Sequence, residues 1–199
     1  MQQYSNKLWQ HHTARKALAA WCLVVFLGIP LYLPALLPEK KQPSPLMTGD
    51  LIPSGKLISL SGDTVSSDII FGKKTLLLFY STSCPHCVRE LENMRRLEIE
   101  FADSLFIVAI STSTSEATVR LLGDNGGVSH IYLDDQRRYA RSFGVTAVPT
   151  IFLIGEDGRV CYRRVGEAPV AADRQLLKIF RAGGFQNVAL GQSPEKEYR

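Results

Sequence analysis

The sequence predicts an α/β domain in which helices surround a mixed sheet whose last two strands are antiparallel. Three observations carry this. Residues 75–80, Thr-Leu-Leu-Leu-Phe-Tyr, form a near-continuous apolar run, the pattern of a strand buried on both faces. Strand-like and helix-like segments then alternate down the chain. Finally, Gly155-Glu156-Asp157-Gly158 reads as a hairpin turn between two strand-like segments, 150–154 and 159–165.

Residues 56–60 alternate as a short strand, and Ser61-Gly62-Asp63 turns the chain. After 75–80, Ser81-Thr82-Ser83 offer capping hydroxyls, and Cys84-Pro85-His86-Cys87 opens a helix. In that helix Val88, Leu91, Met94 and Phe101 form an apolar stripe, while Arg89, Glu90, Glu92, Arg95 and Arg96 are expected to face water. Residues 105–110 read as a second buried strand. Ser113 with Glu116 resembles a capping box for a helix containing Val119, Leu121 and Leu122, ended by the glycines at 123–127. Residues 130–133 form a short strand, and Asp134 or Asp135 caps a helix ending near Phe143-Gly144. Val148-Pro149-Thr150 leads into the hairpin, and residues 171–181 close the domain as a helix.

The 199 residues allow one domain with a core plus additional segments. The net charge of +4 is mild and no face carries a long basic block, which argues against a nucleic-acid partner. Arg137, Arg138 and Arg141, and likewise Arg159, Arg163 and Arg164, read as solvated faces. Residues 17–37 hold no charged side chain and are long enough for a bilayer core of about 30 Å. Lys7, Arg15 and Lys16 precede them, favouring a cytoplasmic N-terminus and an extracytoplasmic domain on the inner membrane. The expected organisation is a cytoplasmic tail (1–16), a transmembrane anchor or uncleaved signal (17–37), a proline-rich linker (38–53), the folded domain (54–183) and a flexible tail (184–199).

Four cysteines in a chain this long are too few for a disulfide framework, and two of them form a C-x-x-C pair. Disulfide exchange needs an exposed thiolate and a second thiol near enough to resolve the mixed disulfide. At a helix N-terminus the free N–H groups and the dipole stabilise an anion, which favours the thiolate. Cys84 sits at that end and is assigned as the nucleophile. Cys87, one turn deeper, is the resolving thiol. Pro85 occupies the first helical position, where no N–H is needed. His86 is expected to add a donor or positive charge beside the thiolate and make the disulfide more oxidising. A zinc half-site would need a second ligand pair at similar spacing, and His130, Cys161 and His11-His12 do not supply it. No metal and no cofactor beyond a Cys84–Cys87 disulfide are therefore expected. Cys22 reads as an apolar filler. Cys161 is expected on the side of its strand opposite Val160 and Tyr162, as a buried, inert thiol or a partner for a mixed disulfide.

With strand, C-x-x-C, helix and Val-Pro-Thr in that order, residues 55–183 resemble the thioredoxin superfamily. The segment Phe143-Gly144-Val145-Thr146-Ala147-Val148-Pro149-Thr150 looks like the one that carries the family's cis-proline. The resemblance implies that Pro149 packs against the active-site cysteines and that the backbone at Val148 and Pro149 binds the substrate chain. The anchor, the early strand and the extra segment 115–133 resemble the TlpA/ResA group; the accessory proteins of methylamine dehydrogenase maturation are similar. That implies an anchored protein-disulfide reductant of the cytochrome c maturation type, with protein substrates and a membrane electron donor. Departures from the pattern are also present. Ser83 stands where the group has Trp, Leu78 where thioredoxin has a buried Asp, and Glu116 matches by position an acid some members keep near the site. The Pro-His dipeptide is that of DsbA-type oxidases, though their long helical insertion is missing. A copper chaperone using Cys84 and Cys87 as thiolate ligands is the alternative from another class.

Overall fold

A computed structural model describes residues 43–185; the expected tail 1–16, anchor 17–37 and most of the tail 184–199 lie outside them. Among the described residues no helix is long and apolar enough to cross a membrane. The elements are β1 (Lys56–Ser59), β2 (Thr64–Ser66), a 3-10 turn (Ser67–Ile70), β3 (Thr75–Tyr80), α1 (Pro85–Phe101), β4 (Phe106–Ser111), α2 (Ser115–Asn125), β5 (His130–Leu133), a 3-10 turn (Asp135–Arg137) running into α3 (Arg138–Ser142), β6 (Thr150–Ile154), β7 (Val160–Val165) and α4 (Val170–Arg181). The strands form one sheet in the order β2-β1-β5-β4-β3-β6-β7. β3, β4 and β5 are parallel; β6 runs antiparallel to β3, and β7 antiparallel to β6. β2 and the 3-10 turn before β3 were not legible in the sequence, being too short for a periodic pattern.

All six residues of β3 are buried, because the two faces of the sheet carry separate cores. On one face Leu76, Leu78 and Tyr80 meet Cys87, Leu91, Met94, Leu97 and Phe101 of α1 and Leu177 and Phe180 of α4. On the other, Leu77 and Phe79 meet Tyr139 and Phe143 from α3 and its end, with Ile52 and Ile70. Each such apolar side chain removed from water contributes about 1.5–3 kcal/mol before conformational entropy is counted. The centre of the sheet positions the site. β3 ends at the cysteine loop, and antiparallel β6 begins at the same edge, with Thr150 opposite Phe79.

Four local expectations are corrected. Residues 43–53 are not a free linker. Leu46 N–H donates to Phe143 O, Gly49 N–H to Val160 O and Ile52 N–H to Gly158 O, and Ile52 is buried, so this strap belongs to the domain. The capping box at Ser113 is displaced by one residue: Thr114 is the N-cap of α2 and accepts from Ala117 N–H. In β7 a bulge at Cys161 breaks the alternation, since Leu153 pairs with Tyr162 and Ile154 with Val160. Cys161 and Tyr162 therefore pack on the same core, with Val160 on the other. At the end of the described chain, Phe185 stacks against Tyr162 and Phe180 rather than fraying. Asp134 caps α3 as expected, accepting from Tyr139 N–H at 2.9 Å and Ala140 N–H at 2.7 Å.

Candidate active site

Cys84 is the N-cap residue of α1, and no side chain caps the helix. The expected capping hydroxyls point elsewhere: Ser81 Oγ lies 3.0 Å from Ser83 Oγ and 3.2 Å from Ser113 Oγ, which also accepts from Thr82 N–H. The first-turn amides are therefore left for whatever charge sits at Cys84. Pro85 is the first helical residue. The Cys84 thiol is half-buried, whereas Cys87 is fully buried. Burial pushes the Cys87 thiol up to about 12, and the hydrogen bond with Cys84 adds to this.

The Val148–Pro149 peptide is cis, and Pro149 is buried. Cys84 Sγ points at Val148 O, 3.8 Å away. The segment is fixed from both sides: Thr150 Oγ1 donates to Ala147 O at 2.7 Å, and Gly166 N–H to Pro149 O at 2.8 Å. The structure thus gathers Cys84, Cys87, Val148 and Pro149 at one edge of the sheet.

His86 lies at the rim of the site. Its side chain is 62% exposed, and its Nδ1 lies 3.1 Å from Glu167 Oε1 and 2.9 Å from the Arg89 guanidinium. Unprotonated, Nδ1 accepts from Arg89; protonated, it donates to Glu167. Arg89 in turn grips Glu167 with two 3.0 Å bonds. The ring is thus bound into an ion-pair cluster rather than left free beside the sulfur. Glu116 is exposed in the first turn of α2, where local hydrogen bonds from its own backbone and Thr114 hold its carboxyl below the usual range. Cys161 sits at the far end of the β6–β7 hairpin, in a cavity of about 350 Å³ with Lys74, Asp157 and Phe180. Burial raises its thiol.

Glu90, expected in water, is fully buried. Arg164 Nη2 donates to Glu90 Oε1 and to Asp173 Oδ1, each at 2.8 Å, and Ala168 N–H donates to Glu90 Oε2 at 3.3 Å. Arg164, expected on a solvated face, is only 15% exposed in its side chain. Two buried carboxylates share one guanidinium. Burial, with the Asp173 charge beside it, outweighs Arg164 and raises the Glu90 carboxyl to about 7; burial also raises that of Asp173, although Arg164 and a hydrogen bond with Glu90 oppose it. Glu90 charge acts on Cys87. The spacing Cys87-x-x-Glu90 carried the signal, since a residue three after a buried one lies on the same helix face. Leu78, at the position of thioredoxin's acid, is buried in the core, and the buried carboxylate comes from α1 instead. Among the described residues no group of three or more His, Cys, Asp or Glu side chains is placed to hold a metal ion.

Known proteins resemble this chain in sequence and in fold. The Redoxin family profile matches residues 47–178. The thioredoxin-like protein YneN of Bacillus subtilis is 31% identical over 137 residues, covering 67% of this chain and 81% of the relative. Thiol-disulfide oxidoreductase ResA of Halalkalibacterium halodurans is 31% identical over 127 residues, covering 63% and 72%. In structure, a thioredoxin-family thiol:disulfide interchange protein of Chlorobium tepidum matches with a TM-score of 0.59 at 22% identity, over 70% of this chain and 98% of that one. StoA of Bacillus subtilis matches with a TM-score of 0.54 at 20% identity, over 63% and 96%. The chain belongs to the Redoxin family, and within the thioredoxin superfamily it is a ResA-like protein-disulfide oxidoreductase.

Proposed function

We propose that Cys84 and Cys87 are the redox-active pair of an extracytoplasmic reductant, anchored by residues 17–37, that needs no cofactor beyond its own disulfide. One observation carries the reading: a half-exposed thiol at an uncapped helix N-terminus faces the Val148 carbonyl of a cis-proline, over a second, fully buried thiol. Cys84 thiolate attacks a substrate disulfide, forming a mixed disulfide and releasing one substrate thiolate. Val148 and Pro149 hold the substrate chain alongside. Cys87 then gives its proton to Glu90 and attacks Cys84 Sγ, releasing the second substrate sulfur as a thiolate; one of the two thiolates takes the proton back from Glu90 and the other takes one from solvent. The substrate is reduced to a dithiol and the protein is left as the Cys84–Cys87 disulfide, which a membrane electron donor reduces again. Glu90 suits the proton step because it lies one turn from Cys87 and its carboxyl titrates near neutrality. Apocytochrome c thiols are the proposed substrate class. Insulin reduction is the direct test. Wild type turns over and Cys84→Ser does not; equal rates in the two remove Cys84 from the mechanism.

A further inference from the structure

We propose that Glu167 is a positioning residue that keeps the Cys84–Cys87 pair reducing, by holding Arg89 and His86 in a neutralising cluster at the rim of the site. The inference rests on the redox reading above and goes beyond it by naming what sets the direction of electron flow.

The loop that carries Glu167 is not free to drift. Gly166 N–H is bonded to Pro149 O, Ala168 N–H to the buried Glu90, and Ala168 O accepts from Asn93 Nδ2 at 3.3 Å. The Glu167 carboxylate is therefore fixed between the cis-proline segment and α1, on the side of the helix that presents His86 and Arg89. It accepts two bonds from Arg89 and one contact from His86 Nδ1. Arg89 lies just beyond the first turn of the helix that Cys84 N-caps and is bonded to His86, two residues from that cysteine, and a charge on Cys84 acts on its guanidinium.

The sign follows from charge counting. A cation near Cys84 stabilises the thiolate, hence the reduced form, and makes the disulfide more oxidising. Arg89 is such a cation, and His86 becomes one when protonated. A carboxylate placed on both offsets their field at the sulfur. With a neutral side chain at position 167, Arg89 stands uncompensated, and the dithiol state gains. A Pro-His dipeptide, which by itself favours an oxidant, is thereby restrained by a residue about eighty positions downstream.

The test is the equilibrium of the full chain with glutathione, in which the protein disulfide and two glutathione thiols exchange with the protein dithiol and oxidised glutathione. Glu167→Gln, with Glu167→Ala as a second neutral variant, is expected to move the constant at least threefold toward the dithiol, about 14 mV upward at 29.6 mV per tenfold. Glu167→Asp keeps the charge and is expected to stay within twofold of wild type. In an Arg89→Gln/His86→Ala background the Glu167→Gln shift is expected to shrink, because the carboxylate has lost the partners that hold it at the rim and turns into solvent, where its field is screened. Neutral variants that titrate like wild type overturn the inference, as does an equal shift in the double-substituted background. A wild-type chain that forms no Cys84–Cys87 disulfide at any glutathione ratio overturns the redox reading itself.

Discussion

Cys84 and Cys87 are three residues apart in sequence, yet one is half-exposed at a helix end and the other is sealed in the core. The difference assigns the order of events, because a buried thiol raised to about 12 does not initiate exchange at neutral pH. Replacing it leaves the first step intact and removes the second. Cys87→Ser is expected to accumulate a mixed disulfide between Cys84 and a peptide substrate, seen by intact mass under non-reducing conditions. Release of substrate from that variant at the wild-type rate contradicts the resolving role. Tyr80, pushed up to about 12 by burial, keeps a neutral phenol near Cys87 and adds no charge to the pair.

At the scale of elements, short segments with little intrinsic stability hold the site from behind. α3 has only five residues, too few to persist alone, and two of its amides rest on the Asp134 carboxylate. Asp134→Ala leaves both amides without that acceptor and is expected to cost about 1–2 kcal/mol in urea unfolding. The strap at 43–53 lies against the end of the same helix. Gly144 has φ +64°, and a Cβ there would collide with Pro45 backbone. Gly144→Ala is therefore expected to lower stability by about 1–3 kcal/mol and to open the strap to protease. Ile52→Ala empties the strap's buried contact and is expected to cost about 2–5 kcal/mol. Strap cleavage no faster than in wild type for both variants argues against docking.

Across the whole molecule, the Glu90–Arg164–Asp173 cluster ties α1, β7 and α4 into one electrostatic unit. Its titration couples to folding. Glu90 is raised from an ordinary 4.5 to about 7 in the folded state, so the folded protein binds more protons than the unfolded chain between those values. Stability from this group is fully present below pH 4.5 and is lost as pH rises through about 7. The loss is on the order of 2–3 kcal/mol. Asp173 is raised as well and adds in the same sense. Unfolding of the reduced protein across this range is expected to show a falling contribution that disappears in Glu90→Gln/Asp173→Asn. An unchanged slope in that variant places the titrating groups elsewhere.

How much of this was legible beforehand depends on the range of the interaction. The buried strand 75–80, the helix begun by Cys84-Pro85-His86-Cys87, the hairpin at 155–158 and the cap at Asp134 were readable, because each rests on local periodicity or turn chemistry. The segment containing Pro149 was recognised by resemblance, and its cis bond is present. By itself the sequence determined an α/β domain with one C-x-x-C pair at a helix start. Only the tertiary structure decided the surroundings of that pair. Glu90 looked like a surface acid because its partners, Arg164 and Asp173, lie 74 and 83 positions away in sequence and meet it only when β7 and α4 pack against α1. His86 looked free to act on Cys84 because Glu167 reaches it from a loop 81 residues later. Charges acquire their effect from distance and burial, and both are set by chain segments that no local pattern connects.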